Sequence, residues 1–281
     1  HTAFPIYTEP IYKERSLDLC RSFNSLTWSA GINYATAGWI LKANIGKSFR
    51  VPIPKELGTD GVNYHIFRYE KGNPNLNPEE SYQLDAGIHW GNDRLTIQFD
   101  PYLNYFPNYI YMNPTPNYYE GLQWYYYTQS RVIRCGFELQ ADWKILPSLS
   151  AEFKGEYLYA EQLSGEKKGY TLPFSTPWSA DATLRYAFCR KNVGNEGFVA
   201  MNLHVTGRQN NIVPPEKPTP GYYTLNLTAG KDFAFGERTL RLSLNAENLL
   251  NRKYYDHTSF YRLIDVPEPG RNVALMATFE F

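Results

Sequence analysis

The chain has 281 residues, 28 of them basic and 28 acidic, and no formal net charge, which leaves no global field to attract nucleic acid. Mean hydropathy is −0.49 and no long apolar run occurs, so a membrane-crossing helix is excluded, whereas a barrel of alternating strands passes the same test. Aromatic residues make up 16% of the chain, with 24 Tyr, a composition suited to membrane interfaces and binding loops.

The three cysteines, Cys20, Cys135 and Cys189, have no metal-site spacing and are odd in number. They support neither a disulfide framework nor a zinc finger, and no cofactor is expected. The sequence opens at His1 without an initiator Met or an apolar leader and reads as the continuation of a longer chain.

Period-two patterning predicts strands in pairs. Residues 23–34 carry Leu26, Trp28, Ala30, Ile32 and Tyr34 on one face, and residues 38–50 carry Trp39, Leu41, Ala43 and Ile45, with a tight turn between. Residues 81–90 (Tyr82, Leu84, Ala86, Ile88) and 94–105 (Leu95, Ile97, Phe99, Leu103) form the second pair, turning at 91–93. Residues 131–145 place Ile133, Cys135, Phe137, Leu139, Ala141, Trp143 and Ile145 opposite a polar face, and turn at 146–148 into 149–160. Residues 178–188 pair with 196–208, and 222–233 with 238–248 across Gly236. Residues 272–281 end the chain on Phe281.

Short turns thus alternate with long links at 51–80, 106–130, 161–177, 209–221 and 249–271. This asymmetry predicts an all-β, antiparallel transmembrane barrel of the outer membrane of a Gram-negative cell, with short periplasmic turns, long extracellular loops and lipid around its wall. Trp39, Trp90, Trp143, Trp178, Tyr34, Tyr82 and Tyr159 fall at the ends of the apolar runs, where interfacial girdles belong. A soluble β-sandwich is the rival; it needs neither strands this long nor aromatics at both ends. About eleven strands is an odd number, and an odd antiparallel set cannot close without parallel edges, so residues 1–281 are expected to be about half of a larger barrel.

Ala246 to His257 reads AENLLNRKYYDH, followed by Pro269, Gly270, Arg271 and a terminal alternating strand. Upstream stand Ser48, Phe49, Arg50, Val51 and Pro52, then GNPNLNPEE from Gly72, then NYIY from Asn108. Together these resemble the C-terminal half of TonB-dependent outer-membrane receptors, with an ending most similar to receptors for metals and metal chelates. The resemblance implies a 22-stranded barrel, an N-terminal plug domain that with the first strands is missing from this sequence, and a TonB complex contacted through that missing segment. It further implies active import of a scarce nutrient: an iron siderophore, haem or zinc, or alternatively cobalamin, a peptide or a glycan. A passive porin and an adhesion barrel remain open, and a surface lipoprotein is a further expected partner.

Candidate ligand contacts are the loop residues Tyr64, His65, Tyr69, Tyr118, Tyr119, Trp124, Tyr126, Asp256 and His257. Tyr supplies large contact area at low entropic cost, and His with Asp is metal-ligand chemistry, although no converging set is visible. Candidate plug-facing charges on the wet face are Asp85, Arg134, Glu138, Asp142, Glu152, Arg185 and Glu247; His89 and His204 share that face and are expected to meet plug or lumen water. No G-x-S-x-G, H-E-x-x-H or Gly-rich phosphate loop occurs, and no enzyme activity is expected.

Overall fold

The computed structural model describes residues 20–188 and 196–280; Cys189 and the terminal Phe281 lie outside the described residues. The strands in chain order are β1 (Trp28–Thr36), β2 (Trp39–Arg50), β3 (Asp60–Asn63), β4 (Arg68–Lys71), β5 (Glu79–Gly91), β6 (Leu95–Tyr119), β7 (Leu122–Leu146), β8 (Leu149–Gln162), β9 (Ser179–Phe188), β10 (Gly197–Thr206), β11 (Tyr222–Phe235), β12 (Arg238–Glu247) and β13 (Asn272–Glu280). All thirteen stand in one sheet, with β3 and β4 off its main path; along that path each strand is hydrogen-bonded to its neighbour, so eleven antiparallel strands form an open wall with β1 and β13 at its two edges.

The short turns lie at one end, apart from that joining β6 to β7 at the other. Between β1 and β2 the chain reverses through Ala37 and Gly38, both at positive φ, the two-residue geometry whose twist matches the flanking strands. A Cβ on Gly38 would stand 2.7 Å from the carbonyl oxygen of Gly91, so the close approach of β5 also demands glycine there.

The outward faces meet the membrane. Leu84 and Ile88 of β5, Ile97 and Leu103 of β6, Phe153, Leu184, Met201 and Leu203 are all exposed, which in water would be an aggregation surface and in lipid is a solvated one. Aromatic residues bound this band at both ends. Trp39 and Trp90 touch at 6.3 Å at the hairpin-turn end, and Tyr82 and Tyr105 at 6.4 Å at the other. Tyr82 and Trp90 are eight residues apart on β5, about 27 Å along a strand, or about 20 Å of membrane depth at a 40° tilt, close to the apolar band of such barrels.

The expected loop over 106–130 is instead strand. β6 and β7 are 25 residues each and continue past the membrane as a projecting hairpin. Pro107, Pro114 and Pro116 suggest a loop, since proline removes a ladder donor. Pro107 sits inside the register shift between Phe106 and Tyr109, and Pro114 and Pro116 at the shift between Pro114 and Tyr118, so bulges absorb them. The first predicted strand also begins later, at Trp28.

Buried side chains gather outside the membrane, above the lumen. Phe106, Tyr111, Val132, Ala160 and Leu172 form the hydrophobic core, and the Tyr111 hydroxyl donates to Gln162 Oε1 at 2.6 Å inside it.

Candidate functional site

The loops fold over the mouth of the wall. β3 and β4 form a small hairpin in the 51–80 link, and β4 pairs in parallel with β7, Arg68 opposite Gln123 and Tyr69 opposite Trp124. This brings three of the expected ligand contacts together: the Tyr69 ring lies 4.8 Å from Tyr119 and 5.3 Å from Trp124. Tyr118 is 66% exposed beside them, and Tyr64 is 77% exposed at the tip of the first loop, with His65 next to it. Tyr126 faces another way; its hydroxyl accepts from Asn113 and donates to Glu166 Oε2 at 2.6 Å.

Asp256 and His257 lie in the last loop, apart from the tyrosine cluster. His257 is only 2% exposed, with Nδ1 against Thr219 Oγ1 at 2.8 Å and Nε2 buried without a partner among the described residues. Burial and the neighbouring Arg262 hold its pKa down to about 4, so the ring is neutral. Burial opposes ionisation of Asp256, but hydrogen bonds from Thr258 and from the Tyr222 hydroxyl prevail and keep it an acid stronger than usual. Asp256 thus joins the last loop to β11 through Tyr222, and His257 joins it to the neighbouring loop through Thr219. Among the described residues no group of three or more His, Cys, Asp or Glu converges as a metal site.

Between β4, the projecting hairpin and the loops is a cavity of about 420 Å³ facing the lumen, lined by Arg68, Tyr109, Tyr111, Arg134, Phe174 and Phe260 among others. Arg68 lies over the Tyr125 and Phe260 rings at 5.0 and 5.1 Å, and Glu70 neutralises it at 2.9 Å. Arg134 makes no ion pair among the described residues, and its buried Nε has no acceptor. Behind the cavity, burial drives the Tyr125 hydroxyl up to about 12 and raises the Glu216 carboxyl, whose partner Arg262 is 3.7 Å away. Sequence reasoning missed Arg68, Tyr109, Phe174 and Phe260. The one available signal was alternation in the run Trp124, Tyr125, Tyr126, which sets Tyr125 on the buried side.

The residues expected to face a plug share the lumen face but differ in what they meet. Glu138 stands directly between Asp100 and Glu156 in register, three carboxylates abreast, an arrangement that costs energy unless a cation adjoins it. Asp142 faces Thr96 and Glu152 and accepts from Gln140 at 2.9 Å. Glu152 pairs with Lys154, Arg185 lies 3.5 Å over the Phe198 ring, Glu247 accepts from Asn245 at 3.1 Å, and Asp85 stands opposite Asn44 and Tyr102. His89 and His204, expected to meet plug or lumen water, are each bonded to a wall carboxylate: His89 to Asp100 at 2.6 Å and His204 to Asp181 at 3.0 Å.

The family-like segments prove to be the roots of the loops. Arg50 bonds both Glu56 and Glu79, Glu79 Oε2 accepts the Ile110 N–H at 2.7 Å, and the Asn108 amide donates to the Pro78 carbonyl while accepting the Glu80 N–H. At the other end of the chain, Asn248 clamps Arg252 and Pro269, and Asn251 Oδ1 accepts the Arg271 N–H at 3.0 Å.

Residues 14–249 match the family model described as TonB dependent receptor-like, beta-barrel. Among solved structures, the copper transporter OprC superposes with a TM-score of 0.71 at 19% identity over 88% of this chain and 38% of its own. The FrpB iron transporter from Neisseria meningitidis superposes at 0.62, with 16% identity over 89% and 38%. BauA, the ferric preacinetobactin receptor of Acinetobacter baumannii, gives 0.64, with 14% identity over 91% and 36%. At these identities the likeness is one of fold, and the chain spans well under half the length of each structure. The eleven-strand wall, its two aromatic girdles and the match over residues 14–249 lead to one assignment: the chain belongs to the TonB-dependent receptor-like β-barrel family and forms part of the wall of an outer-membrane barrel.

Proposed function

We propose that the intact receptor actively imports a metal chelate carrying negative charge, and that this chain supplies the loops and upper lumen that hold it. The observation that carries the reading is the lumen-facing cavity in which Arg134, hydrogen-bonded to Tyr109 but with no acceptor at its buried Nε, stands among tyrosines and phenylalanines. A guanidinium whose Nε lacks an acceptor favours an anionic guest, and the ring-lined walls suit a bulky apolar chelate body. The exposed tyrosines Tyr64, Tyr118 and Tyr119 form the capture surface and, with Tyr69 and Trp124, pass the ligand down to the cavity. The named functions of the copper, iron and ferric-chelate receptors of similar fold agree with metal cargo.

Import then requires a plug below the cavity and the TonB complex pulling on it. The carboxylate row Asp100, Glu138 and Glu156 supports a plug contact made by Arg or Lys side chains. The test uses the full-length receptor: titrate ferric catecholate, ferric hydroxamate, ferric citrate, haem and free copper or zinc into wild type and into Arg134→Gln and Tyr69→Ala/Trp124→Ala variants. Loss of at least tenfold in affinity for an anionic chelate in Arg134→Gln is expected. Unchanged affinity in both variants, or uptake that persists in cells lacking the TonB complex, overturns the reading. Uptake of small solutes in proportion to size alone would favour a passive pore.

A further inference from the structure

We propose that Arg252, Lys253 and Arg271 form a binding site for the phosphate groups of an anionic lipid in the outer leaflet of the membrane. The site is built by the corner between β12 and β13. Asn248, at positive φ, turns the chain back and holds Arg252 through both its N–H and its carbonyl, while Asn251 holds the Arg271 N–H. Two cations 19 positions apart in sequence are thereby set on one rim. Arg252 lies 4.4 Å over the ring of Tyr223, and Lys253 5.8 Å over that of Tyr255.

The rim is on the lipid side. Tyr223 is 41% exposed and alternates with the buried Tyr222 and Thr224 of the lumen face. Leu250 is exposed near it, Val273 and Leu275 are exposed further down the wall, and Arg271 continues the alternating series of Val273 and Leu275 one step beyond the strand. The cations therefore stand directly above an apolar, membrane-facing surface, at the height of the headgroups, with an amphipathic ring between.

Charge complementarity selects the occupant. Elsewhere on the outward rim, Lys47 pairs with Glu80 at 2.8 Å, and Glu161 accepts from the Tyr159 hydroxyl at 2.6 Å. Arg252, Lys253 and Arg271 make no ion pair among the described residues. The nearest carboxylate of β12, Glu247, lies on the lumen row opposite Asn272. A group that is anionic at its head and apolar below matches this surface. An acidic protein would leave Leu250 and Val273 uncovered, and free phosphate makes no use of them.

Each Lys or Arg close to an anionic surface strengthens binding about fivefold, so the three together give on the order of a hundredfold. The test titrates the full-length receptor in neutral detergent with bis-phosphorylated lipid A, with the same lipid stripped of its phosphates, and with inorganic phosphate as competitor, read by native mass spectrometry. Wild type should bind the phosphorylated lipid at least tenfold more tightly than the stripped one, inorganic phosphate should not displace it, and Arg252→Gln/Lys253→Gln/Arg271→Gln should lose that preference. Equal binding of the two lipids by wild type overturns the proposal even should the triple variant fail to fold. Displacement by inorganic phosphate, or an unchanged preference in a folded triple variant, overturns it too.

Discussion

Asn248 offers the sharpest test of how the loops are rooted. The side chain is 4% exposed, its Oδ1 accepts the Arg252 N–H at 2.8 Å, and its Nδ2 donates to Arg252 O at 2.9 Å and more weakly to Pro269 O at 3.4 Å. Its φ of 46° is one that alanine adopts at a cost of about 1 kcal/mol. Replacement by alanine removes two well-formed hydrogen bonds at about 1 kcal/mol each and adds that backbone cost, about 3 kcal/mol in all. Local opening should therefore become on the order of a hundredfold more frequent. Hydrogen exchange on the full-length receptor reads this at the Arg252 and Arg271 amides, the first bonded to Asn248 and the second to the neighbouring Asn251. Asn248→Gly relieves the backbone cost but restores no bond, and should lie between wild type and Asn248→Ala. Exchange within threefold of wild type in Asn248→Ala, or wild-type behaviour in Asn248→Gly, would refute the reasoning.

Three further outcomes are expected. His257 has a pKa of about 4 in the folded chain against about 6.5 unfolded, so its share of stability is complete above about pH 6.5 and is lost as pH falls toward 4, up to about 3 kcal/mol. Protease nicking within residues 249–271 should rise across that window in wild type, and His257→Gln should flatten the dependence; an equal slope in the variant removes His257 as the cause. Gly136→Ala drives a Cβ into the Tyr157 carbonyl and to 2.6 Å from the Tyr102 hydroxyl, so the heat-resistant compact band on a gel should shrink markedly, and a wild-type band would show that the wall yields cheaply. Glu138→Gln should raise the urea midpoint of the barrel freed of its plug by the equivalent of up to about 1 kcal/mol, since it relieves a row of like charges, while loosening the plug in the intact receptor; a rise in both settings would argue against a plug cation.

The wall was legible because lipid and lumen impose opposite demands on alternate residues. From Ile133 to Ile145 no mid-band position on the outward side can carry a charge without a cost of about 2 to 4 kcal/mol, and that prohibition writes the strand into the sequence with its face and register. The same logic stops at the membrane boundary. Beyond Phe106, water lies on both sides of the hairpin, alternation loses its force, and Pro107, Pro114 and Pro116 suggest loop where bulged strand stands. The strand content of 106–130 was thus hidden by the environment that makes it possible.

The site was less legible, for a related reason. Its members come from segments that meet only through long-range packing: Arg68 reaches Tyr125 and Phe260, 57 and 192 positions further along the chain, and Tyr69 meets Trp124 because β4 pairs in parallel with β7. Tyrosine content drew attention to these loops without saying which rings touch. The recognisable segments misdirect as to function, since Arg50, Glu79, Asn108, Asn248 and Asn251 all spend their polar atoms on backbone or on one another. Loop roots obey one geometry whatever the ligand, so they carry the fixed pattern. On the import reading proposed above, the cargo is selected by side chains above them, which that geometry leaves free to vary.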